Sequence, residues 1–298
     1  MSRARSAGSS KELLIYLNGR FVPKSRALVS VFDHGFLYGD GVFEGIAVYE
    51  GKAFRLEEHI TRFFDSAKAI DLQIPLDGKK VAGAIIETIR RNAIVDGYVR
   101  PIVTRGEGAL GLNPAYCKKA TFVIIPQHAA DYPLMHLSGR PARAIVSTIR
   151  RNPSFCVPAS AKTLNYLNNI LAKQQATAAG LEEAIMLDWT GLLSEGTADN
   201  LFIVKRGSVS TPSLHCSILP GVTRTAVLDA CKEAGIATRE EELTLQDLYT
   251  ADEAFLTSTS LEIQPLVEVD GREIGKGVEG PVTRRVKKGF GKIKSEGR

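Results

Sequence analysis

Ala161-Lys162-Thr163-Leu164-Asn165-Tyr166-Leu167-Asn168-Asn169, followed in order by Ser194-Glu195-Gly196 and Leu219-Pro220-Gly221-Val222-Thr223-Arg224, decides how this chain is read. An amine able to capture an aldehyde, a carboxylate able to face a ring nitrogen, and a tight turn whose following amides can hold an anion occur within one plausible unit. Those are the parts that Schiff-base chemistry on pyridoxal 5'-phosphate requires. Taken alone, Lys162 reads as a surface lysine, Glu195 as a turn acid and Thr223 as a plain helix cap. Their company changes the reading. Val157, Ala161, Leu164 and Leu167 flank Lys162 with apolar surface, and burial there would favour a free, nucleophilic amine.

Working outward, Leu164 to Ala179 reads as a helix stopped by Gly180, and Thr223 to Ala234 as a helix stopped by Gly235. Short strands are expected at Glu183–Asp188, Leu192–Glu195, Leu201–Lys205 and Ala254–Leu256. Toward the amino end, Leu14–Val22 reads as a strand pair around Asn18-Gly19, and Gly45–Phe54 repeats it around Glu50-Gly51. Apolar residues at helical spacing predict helices over Glu57–Ile70 and Lys79–Asn92, with strands Tyr98–Thr104 and Ala120–Pro126 after them. The stretch Gln127–Arg143, carrying Pro133, Gly139 and Pro141, is the linker candidate. The order fits neither a doubly wound sheet nor an eightfold barrel, and the expected class is α+β. The expected division is 1–130 as a small amino-terminal unit, 131–142 as linker and 143–298 as a larger unit.

The chain has 298 residues, is 44% hydrophobic and carries a formal charge of +5, enough to bury a core in two units. Its pI near 9.0 leaves a nucleic-acid-binding protein as the reading from another class, resting on Arg284-Arg285-Val286-Lys287-Lys288 and the lysines beyond. Val286, Phe290 and Ile293 recur near helical spacing there, which favours an amphipathic helix with a solvated basic face. The four cysteines are far apart with no Cys-x-x-Cys, so free thiols are expected, with neither a metal site nor a disulfide framework. No apolar run reaches the roughly 20 residues of a spanning helix, and Met1–Ser10 lacks the apolar stretch of a secretion signal. A disordered amino terminus, a cytoplasmic location and no membrane partner are the expectations.

Gly106-Glu107-Gly108-Ala109-Leu110-Gly111 fits G-x-G-x-x-G, but Leu112-Asn113-Pro114 prevents the helix a dinucleotide site needs. It reads as a glycine-rich loop able to border a site. Arg62 has an ordinary partner one helical turn away in Glu58. The hydroxyl run Thr257-Ser258-Thr259-Ser260 follows a strand and suits a phosphate, though such runs are common in turns.

Together with Leu17-Asn18-Gly19, Tyr38-Gly39-Asp40-Gly41-Val42-Phe43-Glu44-Gly45, Glu58-His59-Ile60-Thr61-Arg62 and Gly280-Pro281-Val282-Thr283, these segments resemble the branched-chain aminotransferases. That family lies within the fold-type IV pyridoxal-phosphate enzymes, and the resemblance spans nearly the whole chain. It implies a small α+β domain followed by a larger pseudo-barrel α/β domain. It also implies that Lys162 carries the cofactor and acts as the catalytic base, that Glu195 pairs with the ring nitrogen, and that Tyr166 bonds the ring's phenolic oxygen. Arg62, the Val222 and Thr223 amides, Ser258 and Thr259 would hold the phosphate. Tyr98-Val99-Arg100-Pro101 resembles the branched-chain signature, so Tyr98 and Arg100 would face substrate, with Phe43 and Ser260. Tyr38 and Leu112 would reach the site across a homodimer interface. The implied substrates are amino acids and 2-oxo acids: leucine, isoleucine or valine with 2-oxoglutarate. A D-amino-acid or (R)-amine transaminase of the same fold is the second reading, and an aminodeoxychorismate lyase the third. Ala47 stands where many branched-chain enzymes carry arginine, which removes a cation expected beside the pocket.

Overall fold

Two β-sheets, each covered by helices, divide the chain. The computed structural model describes residues 12–297; expectations for the amino-terminal ten residues fall outside that range. The first sheet contains β1 (Leu14–Leu17), β2 (Arg20–Pro23), β3 (Gly41–Phe43), β4 (Ile46–Tyr49), β5 (Lys52–Ala53), β6 (Gly97–Thr104) and β7 (Thr121–His128), in the order β2-β1-β7-β6-β4-β5 with β3 also on β6. All its pairings are antiparallel. At the β1–β2 turn, Asn18 (φ 49°) and Gly19 (φ 90°) both adopt the left-handed conformation that a two-residue hairpin requires. Helices α2 (Leu56–Ala69) and α3 (Gly78–Arg91) cover one face. Phe63, Val81, Ile85 and Ile89 pack there against Val99, Val103, Phe122 and Ile124. A short helix, α1 (His34–Tyr38), precedes β3.

The second sheet runs β12-β11-β10-β13-β14-β8-β9, with β15 beside β14. Its strands are β8 (Ala142–Val146), β9 (Glu183–Ile185), β10 (Asn200–Lys205), β11 (Ser208–Pro212), β12 (Thr238–Glu241), β13 (Glu253–Ser258), β14 (Glu262–Val269) and β15 (Arg272–Glu273). Parallel pairs β8–β14, β8–β9 and β11–β12 mix with antiparallel ones, consistent with an α+β class. Helices α4 (Leu167–Ala178), α5 (Val222–Glu233), α6 (Leu245–Tyr249) and α7 (Pro281–Ser295) complete it. On α7, Val286, Phe290 and Ile293 are buried in a cluster with Phe202, Val227 and Phe255, while Lys287 and Lys294 pair with Glu279 and Glu262. The basic stretch is therefore the solvated face of an amphipathic helix.

Three expectations change. Helix α4 starts at Leu167, not Leu164, because Thr163 is bridged to Val42 in extended conformation and Leu164 N donates to Gly41 O at 2.9 Å. Leu192–Glu195 is not a strand of either sheet; it holds only the isolated bridges Leu187–Leu193 and Glu195–Asn200. Gln127 and His128 still belong to β7, and Ala142 and Arg143 to β8. Between these strands lie two short turns of 3-10 helix, Ala129–Asp131 and Pro133–Leu137.

Among the described residues no helix is long and apolar enough to cross a membrane and no group of ligating side chains could hold a metal. All four cysteines are free.

Candidate active site

The backbone around Lys162 is fixed before its side chain is considered. Lys162 N donates to Ser66 Oγ at 3.0 Å and Lys162 O accepts from Phe43 N at 3.0 Å, so both peptide groups are tied to the first sheet and its helix α2. The apolar neighbours singled out in the sequence do not all provide the burial: Leu167 is 67% exposed. The Phe43 ring, 4.6 Å from Nζ at its centroid, and Tyr166, whose hydroxyl lies 3.2 Å from Nζ, provide it instead. The 162-to-166 spacing thus brings amine and phenol into contact.

Lys162 opens into a cavity of about 300 Å³. Phe43, Tyr98, Arg100, Tyr166, Ser258, Thr259 and Ser260, all singled out in the sequence, line it. A larger surface groove of about 620 Å³ beside Arg55, Asp229 and Lys232 holds none of them. Arg100 donates to the Tyr98 hydroxyl through Nε at 3.2 Å and Nη2 at 2.9 Å, and burial pushes the Tyr98 phenol up. Thr259 Oγ1 donates to Gly45 O at 3.1 Å, joining the two sheets. Ala47 does not line the cavity; its methyl is buried with Phe54 and Phe202. A long cationic side chain at this position would start from inside an apolar cluster.

Behind the cavity, the turn Leu219-Pro220-Gly221 collects the remaining groups. Leu219 N donates to Glu195 Oε2 at 3.0 Å, and Asn200 Nδ2 bridges Glu195 Oε2 and Leu219 O at 3.1 and 2.9 Å. Arg62 Nη1 donates to Pro220 O at 2.8 Å. A Cβ on Gly221 would lie 2.0 Å from Asn200 Oδ1, so only glycine permits this approach. Helix α5 begins at Val222 with no side-chain cap, although Val222 and Thr223 are buried. Buried helix-start amides without a side-chain cap are free to receive an acceptor, and an anion such as a phosphate suits them. The donor set therefore fits a phosphorylated aldehyde: a reachable amine, a phenol beside it, a buried carboxylate and an uncapped helix start.

Glu195 sits deeper than a turn acid. Its Oε1 meets Arg151 Nη2 at 2.7 Å; burial raises its carboxyl from the ordinary value, and Arg151, the Leu219 amide and Lys162 oppose that rise. Arg62 does not pair with Glu58, which approaches Arg55 instead at 3.8 Å. Its guanidinium makes a two-bond fork to Glu44, Nε to Oε1 and Nη2 to Oε2, both at 2.7 Å. His59 Nδ1 reaches Glu44 Oε2 at 2.7 Å, and burial pushes the imidazole down against the opposing pull of Glu44. Burial alone would raise Glu44; Arg62 and His59 outweigh it and hold the carboxyl far below the usual carboxylate range.

Tyr38 and Leu112 are not in this cavity. Tyr38 Oη accepts from Gly111 N at 3.0 Å on the outer side of α1, and Leu112 is 82% exposed. The 106–113 segment forms no helix and packs on α1, with His34 N donating to Gly106 O at 2.9 Å. Sequence reasoning missed Glu44, His59, Tyr132, Arg151, Asn169 and Asn200 as site residues. Glu44 and His59 lie inside segments already singled out, and the signal that could have exposed them is Arg62, a cation that needs an acid partner once it is buried.

A family model described as amino-transferase class IV matches residues 41–269. A putative branched-chain-amino-acid aminotransferase of Methanocaldococcus jannaschii is 49% identical over 283 residues, covering 95% of this chain and 96% of its own. The branched-chain-amino-acid aminotransferase of Escherichia coli K12 is 38% identical, with 93% and 91% covered. The solved T.th. branched-chain amino acid aminotransferase with pyridoxamine 5'-phosphate superposes with a TM-score of 0.90 at 38% identity, covering 97% of this chain and 96% of that one. The same protein has been solved with N-(5'-phosphopyridoxyl)-L-glutamate. The chain belongs to the class IV aminotransferases and is an enzyme of fold-type IV.

Replacing Glu44 with glutamine leaves the Arg62 charge buried without its counter-ion, which costs about 3–5 kcal/mol. Because the Glu44 carboxyl is depressed in the fold, its stabilisation is present above the ordinary glutamate value and fades as pH falls below it. Urea unfolding should show the widest gap between Glu44→Gln and the parent near neutral pH and a narrower one in acid. A gap independent of pH contradicts the ion-pair account.

Proposed function

We propose that this enzyme transfers the amino group of leucine, isoleucine or valine to 2-oxoglutarate on pyridoxal 5'-phosphate, giving 2-oxo acids and L-glutamate. The observation that carries the reading is the cavity wall: Phe43 and Leu134 give apolar surface, while Arg100, fixed by Tyr98, gives a cation in the same space. An apolar side chain and a distal carboxylate can then use one pocket in turn, the second through a charge-assisted pair. The relatives named above as branched-chain aminotransferases support the same substrates.

Pyridoxal phosphate supplies an aldehyde that links amines and a ring that accepts the charge left when a carbon loses its proton. Lys162 would hold it through its amine, and the same amine would serve as the base that moves the substrate's α-carbon proton. Tyr166, 3.2 Å from Nζ, orients that amine and would bond the ring's phenolic oxygen. Glu195 would pair with the ring nitrogen, its carboxylate kept in place by Arg151, Asn200 and the Leu219 amide. Arg62, the Val222 and Thr223 amides, Ser258 and Thr259 would hold the phosphate. Tyr98, Arg100 and Ser260 place the substrate carboxylates.

The protein works as a homodimer in the cytoplasm, with residues 131–142 linking units 1–130 and 143–298. Leu28, Val31, Phe36, Leu110 and Leu112, all more than half exposed, crowd the α1 region that bears Tyr38. An apolar surface of that kind supports burial against a second copy, which would bring Tyr38 and Leu112 to the partner's cavity. Sedimentation should give a dimer, and Phe36→Glu a monomer with much weaker substrate use; a parent protein that sediments as a monomer removes this arrangement.

Cofactor-loaded protein should show a visible band that L-leucine, without acceptor, converts to the pyridoxamine form, and Lys162→Ala should abolish turnover while the fold persists. Conversion by D-alanine or (R)-1-phenylethylamine in place of L-leucine moves the enzyme to the D-amino-acid or (R)-amine reading. An active, correctly folded Lys162→Ala protein refutes the role of the lysine.

A further inference from the structure

Three protein donors converge on Glu195, and a carboxylate offers about four lone-pair positions. The Leu219 and Asn200 amides take two of them, both on Oε2, at 3.0 and 3.1 Å, and Arg151 Nη2 faces Oε1 at 2.7 Å. The remaining position, on Oε1, is the one a ring nitrogen would use. Keeping it open is a geometric problem, because a guanidinium beside a carboxylate commonly takes a two-bond fork. Arg62 makes that fork in this protein, with Nε and Nη2 on the two oxygens of Glu44. Arg151, also buried, does not: it meets Glu195 through one nitrogen, and its Nε finds no acceptor among the described residues.

Asn169 is what turns Arg151 away from the fork. Its Oδ1 accepts from Arg151 Nη1 at 3.0 Å, and its Nδ2 donates to Thr197 O at 2.7 Å. The amide cannot be reversed, since a guanidinium only donates and a carbonyl only accepts. Thr197 is fixed in turn by Glu183 Oε1, which accepts from Thr197 Oγ1 at 2.6 Å and from Thr197 N at 3.2 Å. Arg151 N donates to Leu187 O at 2.8 Å, so the main chain of Arg151 is anchored and its side chain is what Asn169 steers. Asn169 lies in the first turn of α4, three residues after Tyr166, and lines the cavity with Tyr166 and Lys162. It is nearly fully buried, and none of the proposed steps uses it.

Resting on the proposed function, we propose that Asn169 is a positioning residue: by holding Arg151 Nη1 it keeps that guanidinium end-on to Glu195 and leaves one acceptor position of the carboxylate for the cofactor's ring nitrogen. Without the Asn169 carbonyl, Nη1 is left buried and unpaired, which is costly. A turn of the guanidinium then brings a second nitrogen onto Glu195, and the carboxylate is saturated by protein donors. The grip on the phosphate is separate, because Asn169 bonds to Arg151 and Thr197 and to none of the groups assigned to the phosphate.

Reversible binding of two compounds to the apoprotein separates pairing at the ring nitrogen from the other contacts: pyridoxamine 5'-phosphate, and its 1-deaza analogue with carbon in place of that nitrogen. The parent should bind the first at least about tenfold more tightly, the worth of a charge-assisted hydrogen bond. Asn169→Leu, which keeps the volume and loses both hydrogen bonds, should bind the two alike, with its affinity for the analogue unchanged. Asn169→Asp keeps an acceptor for Arg151 and should retain the parent's preference. So should Asn168→Ala, because Asn168 ties the same turn of α4 to Arg150 O at 2.8 Å without touching the guanidinium. If Asn169→Leu does not fold, Asn169→Ala takes its place in the series. A preference in Asn169→Leu equal to the parent's, an equal loss of affinity for both compounds, or a preference lost in Asn168→Ala as well overturns the proposal. A parent that binds both compounds alike overturns the proposal and leaves the cofactor reading standing, whereas a parent that binds neither takes the proposed function down with it.

Discussion

A buried guanidinium holds the two halves of this enzyme in register. Arg62 lies on a helix of the first sheet, yet its side chain is turned inward, where an unpaired charge would be costly. The two-bond fork to Glu44 meets that demand, and the geometry of the planar group then fixes where its third nitrogen points: to the Pro220 carbonyl, at 2.8 Å. Helix α2, the end of β3 and the turn before α5 are locked by one side chain. Lysine could not replace it, because an ammonium has no fork with which to face Glu44 and Pro220 in one plane.

The same turn then serves the second half. Leu219 holds Glu195, Pro220 receives Arg62, and Gly221 lets the chain pass Asn200 closely enough to start α5 without a cap. Lys162 is brought to this junction by backbone bonds to Phe43 and Ser66. Function depends on the seam between the sheets, and the cores on each side supply the rigidity that a site of this precision needs. The stacked Phe202 and Phe255 rings, 4.9 Å apart, belong to β10 and β13, the strands that begin at Asn200 and end at Ser258.

Much of this is legible in the sequence, and the boundary has a physical cause. The Asn18-Gly19 hairpin, α2, α3, α5 and α7 are local patterns: a turn with positive φ, or apolar residues at helical spacing. Lys162, Glu195 and Arg62 are identified by residue type and order. What stays hidden is contact across long sequence separations. Nothing near Arg62 announces Glu44 as its partner, nothing near Glu195 announces Arg151, and helical spacing makes Leu164 look like the start of a helix when Val42 has already claimed Thr163 for a bridge.

The central claim is that the seam places one particular amine, Lys162, to carry the cofactor. Borohydride reduction of pyridoxal-phosphate-loaded protein, followed by peptide mapping in a mass spectrometer, tests this directly. The account predicts the phosphopyridoxyl mass on the peptide containing Lys162 and on no other lysine at comparable yield. Modification at Lys173 or at a surface lysine, with Lys162 untouched, would contradict it.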